Sequence, residues 1–384
     1  MTYSTALDTH SIYIHWPFCP YRCHFCPFVA LASHDDFMPR YHAALCKEIK
    51  EFASKVDRKL ALKTIYMGGG TPSTYPDKLL LDMSGILKDV FIFNHDIEMT
   101  IEVNPGTVRV EQFAFWRSIG INRMSVGVQS LNDKALHTLG RMQSVKDVYF
   151  LLEHAQHEFD NISVDLILGL PGVTENEWKA YLQEVVTWPI KHVSMYFLQV
   201  HEKTPLYFRV KTNELSLPKD AAVVDLYYWS RDLFISHGFT QYEVSNFAKS
   251  GYESRHNTVY WEREPYKAFG LGACSFDGSL RFQNEKNLMK YLVGVEQGND
   301  VTVFHEQLTE KQVRLEKIML GLRRAKGVLL DTVMNGLDSD EIEQVTIRLQ
   351  RLKNHKLIAQ EEGYLILTTE GLIVENEIVT QLLS

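Results

Sequence analysis

The chain has 384 residues, 45% of them hydrophobic and 23% charged, enough to bury one large core and a smaller one without covalent staples. Its formal net charge of −8 and the lack of a dense Lys/Arg run exclude nucleic acid as the main partner. The N-terminus MTYSTALDTHSIYI has no basic region ahead of an apolar stretch, and no apolar run is long enough to span a bilayer, so a cytoplasmic location is expected.

In chain order, SIYIHWPF, TIYMG, EMTIEVN, RMSVGVQS, ISVDLILG and HVSMYFLQV are rich in Val, Ile, Tyr and Met and predict strands. Between and after them, YHAALCKEIKEFASKV, PDKLLLDMSGILKDVF, VEQFAFWRSIG, NEWKAYLQEVVTW and DAAVVDLYYWSRDLF carry helical periodicity. Six alternating units predict an α/β fold, a parallel sheet curled into a partial (β/α)6 barrel over residues 1–260. Chemistry in such a barrel belongs at the C-terminal ends of its strands. Short strands around glycine turns, as in GLGACSFDGSLRFQN, mark a connecting segment over 261–306. From 307 to 384, two amphipathic helices precede KLIAQEEGYLILTTEG, a hairpin turning at Glu362–Gly363. That is a smaller α+β, winged-helix-like domain. It is not strongly basic, so packing or partner docking is expected of it rather than DNA binding.

Three of the five cysteines, Cys19, Cys23 and Cys26, fall within CPYRCHFC. In a reducing compartment this clustering points to metal binding or redox chemistry rather than disulfides. Zinc sites usually show two separated ligand pairs; with His15 and His24 nearby, a Cys3His zinc site stays open as an alternative. Three thiolates on a [4Fe–4S] cluster would instead leave one iron free for an outside ligand. Cys46 and Cys274 stand apart and are expected to be plain buried thiols.

The CxxxCxxC spacing, with Phe25 just before the last cysteine, resembles the radical S-adenosylmethionine enzymes. That resemblance implies a [4Fe–4S] cluster on Cys19, Cys23 and Cys26, with the open iron chelated by the amino and carboxylate groups of S-adenosylmethionine. TIYMGGGTPS, with Gly70 and Thr71, is similar to the glycine segment that contacts the methionyl amino group in that family. Glu102 in EVNPG, Gln129 in SVGVQS, Arg141 in LGR and Asp165 in ISVDLILG would, on their own, read as paired or outward-facing polar residues. Successive βα units bring them to one rim, and with Tyr13 they complete the cofactor-binding set that the resemblance implies.

YIHWPFC, GGGTPS, EVNPGTV, INRMSVGVQS, LGR and DLILGLPG together resemble the coproporphyrinogen III dehydrogenase-like branch across nearly the whole chain. Dehydrogenases of that branch carry a further cysteine, CxxxCxxCxC, and an N-terminal extension. Here Phe28 occupies the cysteine position and about a dozen residues precede Tyr13. RHNTVYW, with His256, Asn257 and Tyr260, resembles the HNxxYW motif associated with heme in HemW-type heme chaperones; read without that likeness, it is a loop packing against the barrel mouth. The resemblance thus implies a protein that holds a [4Fe–4S] cluster, S-adenosylmethionine and heme. It would pass heme to recipient hemoproteins such as respiratory enzymes, with transient membrane or heme-protein contact. The alternative is radical decarboxylation of coproporphyrinogen III or another tetrapyrrole modification. One departure is Cys274, in GACS, where HemW-type sequences commonly carry histidine. A cysteine there could itself ligate iron. His201 and His237 read as surface or core histidines.

Overall fold

The computed structural model describes residues 10–383. The six predicted strands form as β1 His10–Trp16, β2 Ala61–Gly69, β3 Ile92–Val103, β4 Arg123–Gln129, β5 Asn161–Leu168 and β6 His192–Phe197. They lie side by side in sequence order and pair in parallel throughout. Helices such as Met38–Ser54, Asp77–Val90 and Val110–Ile119 make the crossovers and bury one face on the sheet. Alternation is weak in β4, whose first six residues are all buried, as expected of a strand covered on both faces.

Six further strands extend the sheet. They are β7 Thr240–Gln241, β8 Asn246–Ala248, β9 Tyr266–Phe269, β10 Cys274–Phe276, β11 Leu280–Asn284 and β12 Thr302–Gln307. The order is β12-β11-β10-β9-β1-β2-β3-β4-β5-β6-β8-β7, an open sheet, with β9 parallel to β1 and the outer strands antiparallel. One large core runs beneath it, from Ile12 and Trp16 to Tyr291 and Val295.

A second apolar core gathers Ile318, Leu322, Val345, Leu349, Leu365 and Ile378. The helices Glu310–Leu322 and Ser339–Asn354 are followed by the hairpin strands Ile358–Glu361 and Tyr364–Leu367. Positive φ at Glu362 (47°) and Gly363 (83°) makes the tight turn read from EEGY. Backbone bonds tie this part to the barrel edge: Val244 N donates to Arg323 O at 2.8 Å and Ala325 N to Tyr242 O at 3.0 Å. Among the described residues, no helix is long and apolar enough to cross a membrane.

Candidate functional site

The cysteine loop leaves β1 and is pinned at both ends. Phe18–Cys19 pairs in parallel with Leu31–Ala32, and Leu31 N donates to Pro17 O at 2.7 Å. Further out, His24 N donates to Leu139 O at 2.8 Å, its Nδ1 lies 3.1 Å from Thr138 O, and Leu206 N donates to His24 O at 3.0 Å. His24 is thereby an anchor of the loop. Phe25 packs against Ala135, Leu139, Ile167 and Leu170, which fixes the turn between Cys23 and Cys26.

All three loop thiols line a cavity of about 730 Å³ at the C-terminal ends of the central strands. The Thr71 hydroxyl donates to Cys19 Sγ at 3.4 Å, and Arg141 Nη1 lies 3.7 Å from Cys23 Sγ. Burial pushes the Cys19 thiol up to about 11 and raises Cys26 as well, so the thiolate forms need a positive partner beyond these donors. The loop thiols are spread more widely than three ligands of one zinc would be. Two sulfurs on one zinc stand at most about 4.6 Å apart. Among the described residues, the group whose three ligand atoms all approach within 4.8 Å is His42, Cys46 and Asp82, not the loop cysteines. The wider spread suits a multi-iron cluster.

Beside the thiols, β2 runs into glycines because the backbone passes close to β1 and the loop. Gly70 N donates to Trp16 O at 2.7 Å and Thr71 N to Phe18 O at 2.8 Å. A Cβ on Gly70 would sit 2.5 Å from Pro17 O, so only glycine fits. Glu102 accepts from Gly69 N at 3.0 Å and from the Tyr66 hydroxyl at 2.9 Å. Burial outweighs those bonds and lifts its carboxyl to about 7. Asn104 donates to Thr71 Oγ1 at 3.0 Å and accepts from Arg141 Nη2 at 3.1 Å. Arg141 also donates to Gly127 O at 2.7 Å and to Gln143 Oε1. Gln129 ends β4 at φ 65°, where the ladder to β5 slips register. Asp165, raised chiefly by burial, accepts from Ser194 and from the Ser125 hydroxyl at 3.3 Å.

Of the residues singled out from sequence, Cys19, Cys23, Cys26, Phe25, Gly70, Thr71, Glu102, Gln129, Arg141 and Asp165 share this one cavity. Tyr13 stands outside its lining, behind Tyr66; the rings stack at 6.1 Å and its hydroxyl lies 3.1 Å from His15 Nδ1. RHNTVYW is the helix Arg255–Trp261 rather than a loop. Asn257 and Tyr260 line the cavity and His256 does not. His256 is fully buried, with Nδ1 2.8 Å from Thr64 Oγ1 and Nε2 2.8 Å from the Tyr260 hydroxyl. Burial lowers its pKa to about 3, so it is neutral, with both nitrogens engaged.

Two cysteine expectations change. Cys274 is exposed at the start of β10, while Ser275 and Phe276 after it are buried; Gln283 Nε2 donates to its sulfur at 2.9 Å. Cys46 is buried as expected but has company: its Sγ lies 3.5 Å from His42 Nε2, which in turn meets Asp82 at 2.9 Å. His201 lines the cavity and His237 is exposed. Sequence reading passed over Tyr66, Asn104, Arg123, Tyr196, Glu243 and Arg323, all of which line the cavity. Arg123 was legible, since Arg123, Ser125, Gly127 and Gln129 recur at period two on one strand. Glu243 and Arg323 arrive from segments far along the chain and carry no local signal.

Residues 13–185 match the family model of the radical SAM superfamily. The chain is 33% identical over 371 residues to the heme chaperone HemW of Bacillus subtilis, covering 96% of this chain and 97% of that protein. It is 31% identical to HemW of Mycobacterium tuberculosis, over 97% of this chain and 94% of that one. The fold is similar to Escherichia coli coproporphyrinogen III oxidase (HemN), with a TM-score of 0.84 at 22% identity, covering 98% of this chain and 91% of that chain. A radical SAM protein works with a [4Fe–4S] cluster and S-adenosylmethionine, which agrees with a loop of three thiols beside a glycine strip and a buried carboxylate. The chain belongs to the HemW heme chaperone family of the radical SAM superfamily.

Proposed function

We propose that this protein binds heme in the cavity beside its cluster and hands it to recipient hemoproteins. The observation that carries this reading is that Asn257 and Tyr260, from the helix resembling the heme-associated motif, share one cavity wall with the three loop thiols and Arg141. Tyr260 brings a phenol oxygen to the cavity lining, and tyrosine is an accepted heme ligand. His256 acts from behind, holding the Tyr260 hydroxyl at 2.8 Å.

In this reading Cys19, Cys23 and Cys26 hold the cluster, whose open iron supplies an anchoring point for S-adenosylmethionine. Gly70, Thr71 and Glu102 receive the methionyl end, with Glu102 accepting an N–H of its amino group. Gln129, Arg141 and Asp165 border the remainder, and Arg141, fixed by Asn104, Gln143 and Gly127, keeps the wall rigid beside Cys23. Phe28, 65% exposed, occupies the position of the further dehydrogenase cysteine and gives the cavity mouth an apolar edge for a macrocycle. The second domain, taken as 307–384, serves as a docking piece for the recipient, and any approach to a membrane is peripheral.

The deciding experiment is anaerobic. The cluster is reconstituted, then heme binding and coproporphyrinogen III turnover are assayed side by side. Heme retention and transfer without turnover support the carrier; release of the divinyl product would overturn it in favour of a decarboxylase.

A further inference from the structure

Away from the thiols, the cavity ends on polar atoms that have no partner. Arg123, at the N-terminal end of β4, is 1% exposed, and its Nε and Nη1 meet no acceptor. Trp261 Nε1, Asn246 Oδ1 and Glu243 Oε1 are likewise buried and unpartnered, and all four side chains line the one cavity. Two other buried guanidinium groups do find acceptors, although Arg263 Nη2 is unpartnered as well. Arg263 meets Glu316 at 2.8 Å, and Arg141 has acceptors from Asn104, Gly127 and Gln143. Buried guanidinium N–H groups without acceptors are costly, and folds rarely keep them without use.

The neighbours of Arg123 leave its Nε and Nη1 without an acceptor. His192 and His256 are both kept uncharged by burial and by the Arg123 charge. Their nitrogens are taken by Ser163 and Tyr242, and by Thr64 and Tyr260. Asp165 lies close enough to feel the Arg123 charge, but its carboxyl accepts from Ser125 and Ser194, and Arg123 Nε and Nη1 stay without an acceptor. Burial leaves the Glu243 carboxyl at about 7, half protonated near neutrality.

We propose that Arg123 is a cargo-binding residue that seats a carboxylate, a propionate arm of the tetrapyrrole, on the cavity floor. This rests on the heme reading and specifies it. Guanidinium is the side chain best matched to a carboxylate. Arg123 and Gly127 face the same side of β4, four residues or about 13 Å apart, and Gly127 is bonded to Arg141 beside Cys23. A ligand that lies beside the thiols and also meets Arg123 spans several residues of β4 and carries its acid away from the cysteine loop. A macrocycle with propionate arms meets that description; the carboxylate of S-adenosylmethionine belongs at the open iron, at the other end.

The test compares heme with its dimethyl ester on the full-length, cluster-loaded protein. Wild type is expected to bind the free acid about tenfold or more tightly than the ester. Arg123→Gln should bind both alike, and Arg123→Lys should keep part of the preference. Cluster absorbance and S-adenosylmethionine affinity, unchanged in both variants, verify an intact mouth. Wild type binding acid and ester equally would overturn the proposal while leaving the heme reading standing, and needs no variant to fold. A preference that survives in Arg123→Gln also overturns it. Wild type binding neither compound removes the heme reading and this inference together.

Discussion

The Tyr260 hydroxyl stands 2.8 Å from His256 Nε2, and of the two residues Tyr260 alone reaches the cavity. In the proposed heme reading the phenol, and not the imidazole, would meet the macrocycle. Tyr260→Phe should weaken heme binding about tenfold and alter the visible absorption of the complex. His256→Gln should cost no more than about threefold, its loss felt through Tyr260. Heme lost in His256→Gln but kept in Tyr260→Phe would mean that the ring swings into the cavity and ligates directly.

Cys23→Ser should abolish the brown absorbance of the reconstituted protein and reduce its iron content to background. Arg141, 3.7 Å from that sulfur, is bonded to three other acceptors and should hold the loop's surroundings in place. Thermal stability of the metal-free protein should therefore change little. Retained colour would refute the ligand assignment.

Gly70→Ala should disturb the cluster from a distance. The new methyl would meet the Pro17 carbonyl at 2.5 Å, and Pro17 anchors the base of the cysteine loop. Overpacking of this kind costs about 1–3 kcal/mol. Iron occupancy should fall along with stability in chemical denaturation; a variant with full occupancy and unchanged stability would show that the contact relaxes freely.

Glu102 makes S-adenosylmethionine binding depend on pH. Its folded-state pKa is raised to about 7 by burial, so the carboxylate that would accept from the cofactor's amino group in the proposed reading is present above pH 7 and lost below it. Affinity should fall as pH drops from 8 to 6, approaching tenfold per unit below 7, and the slope should vanish in Glu102→Gln. A flat profile in wild type would place the amino group elsewhere. For stability the sign is opposite: a raised carboxyl favours the fold at low pH, and that contribution is lost as pH climbs from about 4.5 through 7.

Thiol labelling checks the two corrected cysteines. In cluster-loaded protein Cys274 is exposed and should take up one equivalent of an alkylating reagent. Cys46, buried and pushed up to about 12 by burial, should react only after denaturation. Equal rates at both positions would contradict the packing of the helix Met38–Ser54.

The order and direction of the six central strands could be read from composition and alternation, because a strand covered on both faces is written in Val, Ile and Met. The cofactor rim was legible for a related reason: Glu102, Gln129 and Asp165 lie in strands, and strand direction dictates their end of the barrel. His256 was harder. The i, i+4 spacing puts His256 and Tyr260 side by side, but which of them faces the cavity depends on how the helix is rolled. That roll is fixed by Glu98, which accepts from the backbone N–H groups of Arg255 and His256 at 3.0 and 2.9 Å. A contact across 157 residues leaves no local trace. Cys274 was misjudged because its neighbours Ala273 and Phe276 are apolar, while the phase of a three-residue strand is set by its pairing with Gln283.

The cavity has walls from two separate apolar cores, since Arg323, Glu375 and Asn376 line it together with residues of the barrel strands. A ligand that touches both walls must clamp them, and by reciprocity anything that draws the C-terminal part off the barrel edge must loosen the ligand by the same factor. If the cavity holds heme as proposed, release would need no chemistry there, because opening the seam at Tyr242–Val244 and Arg323–Ala325 would loosen the ligand.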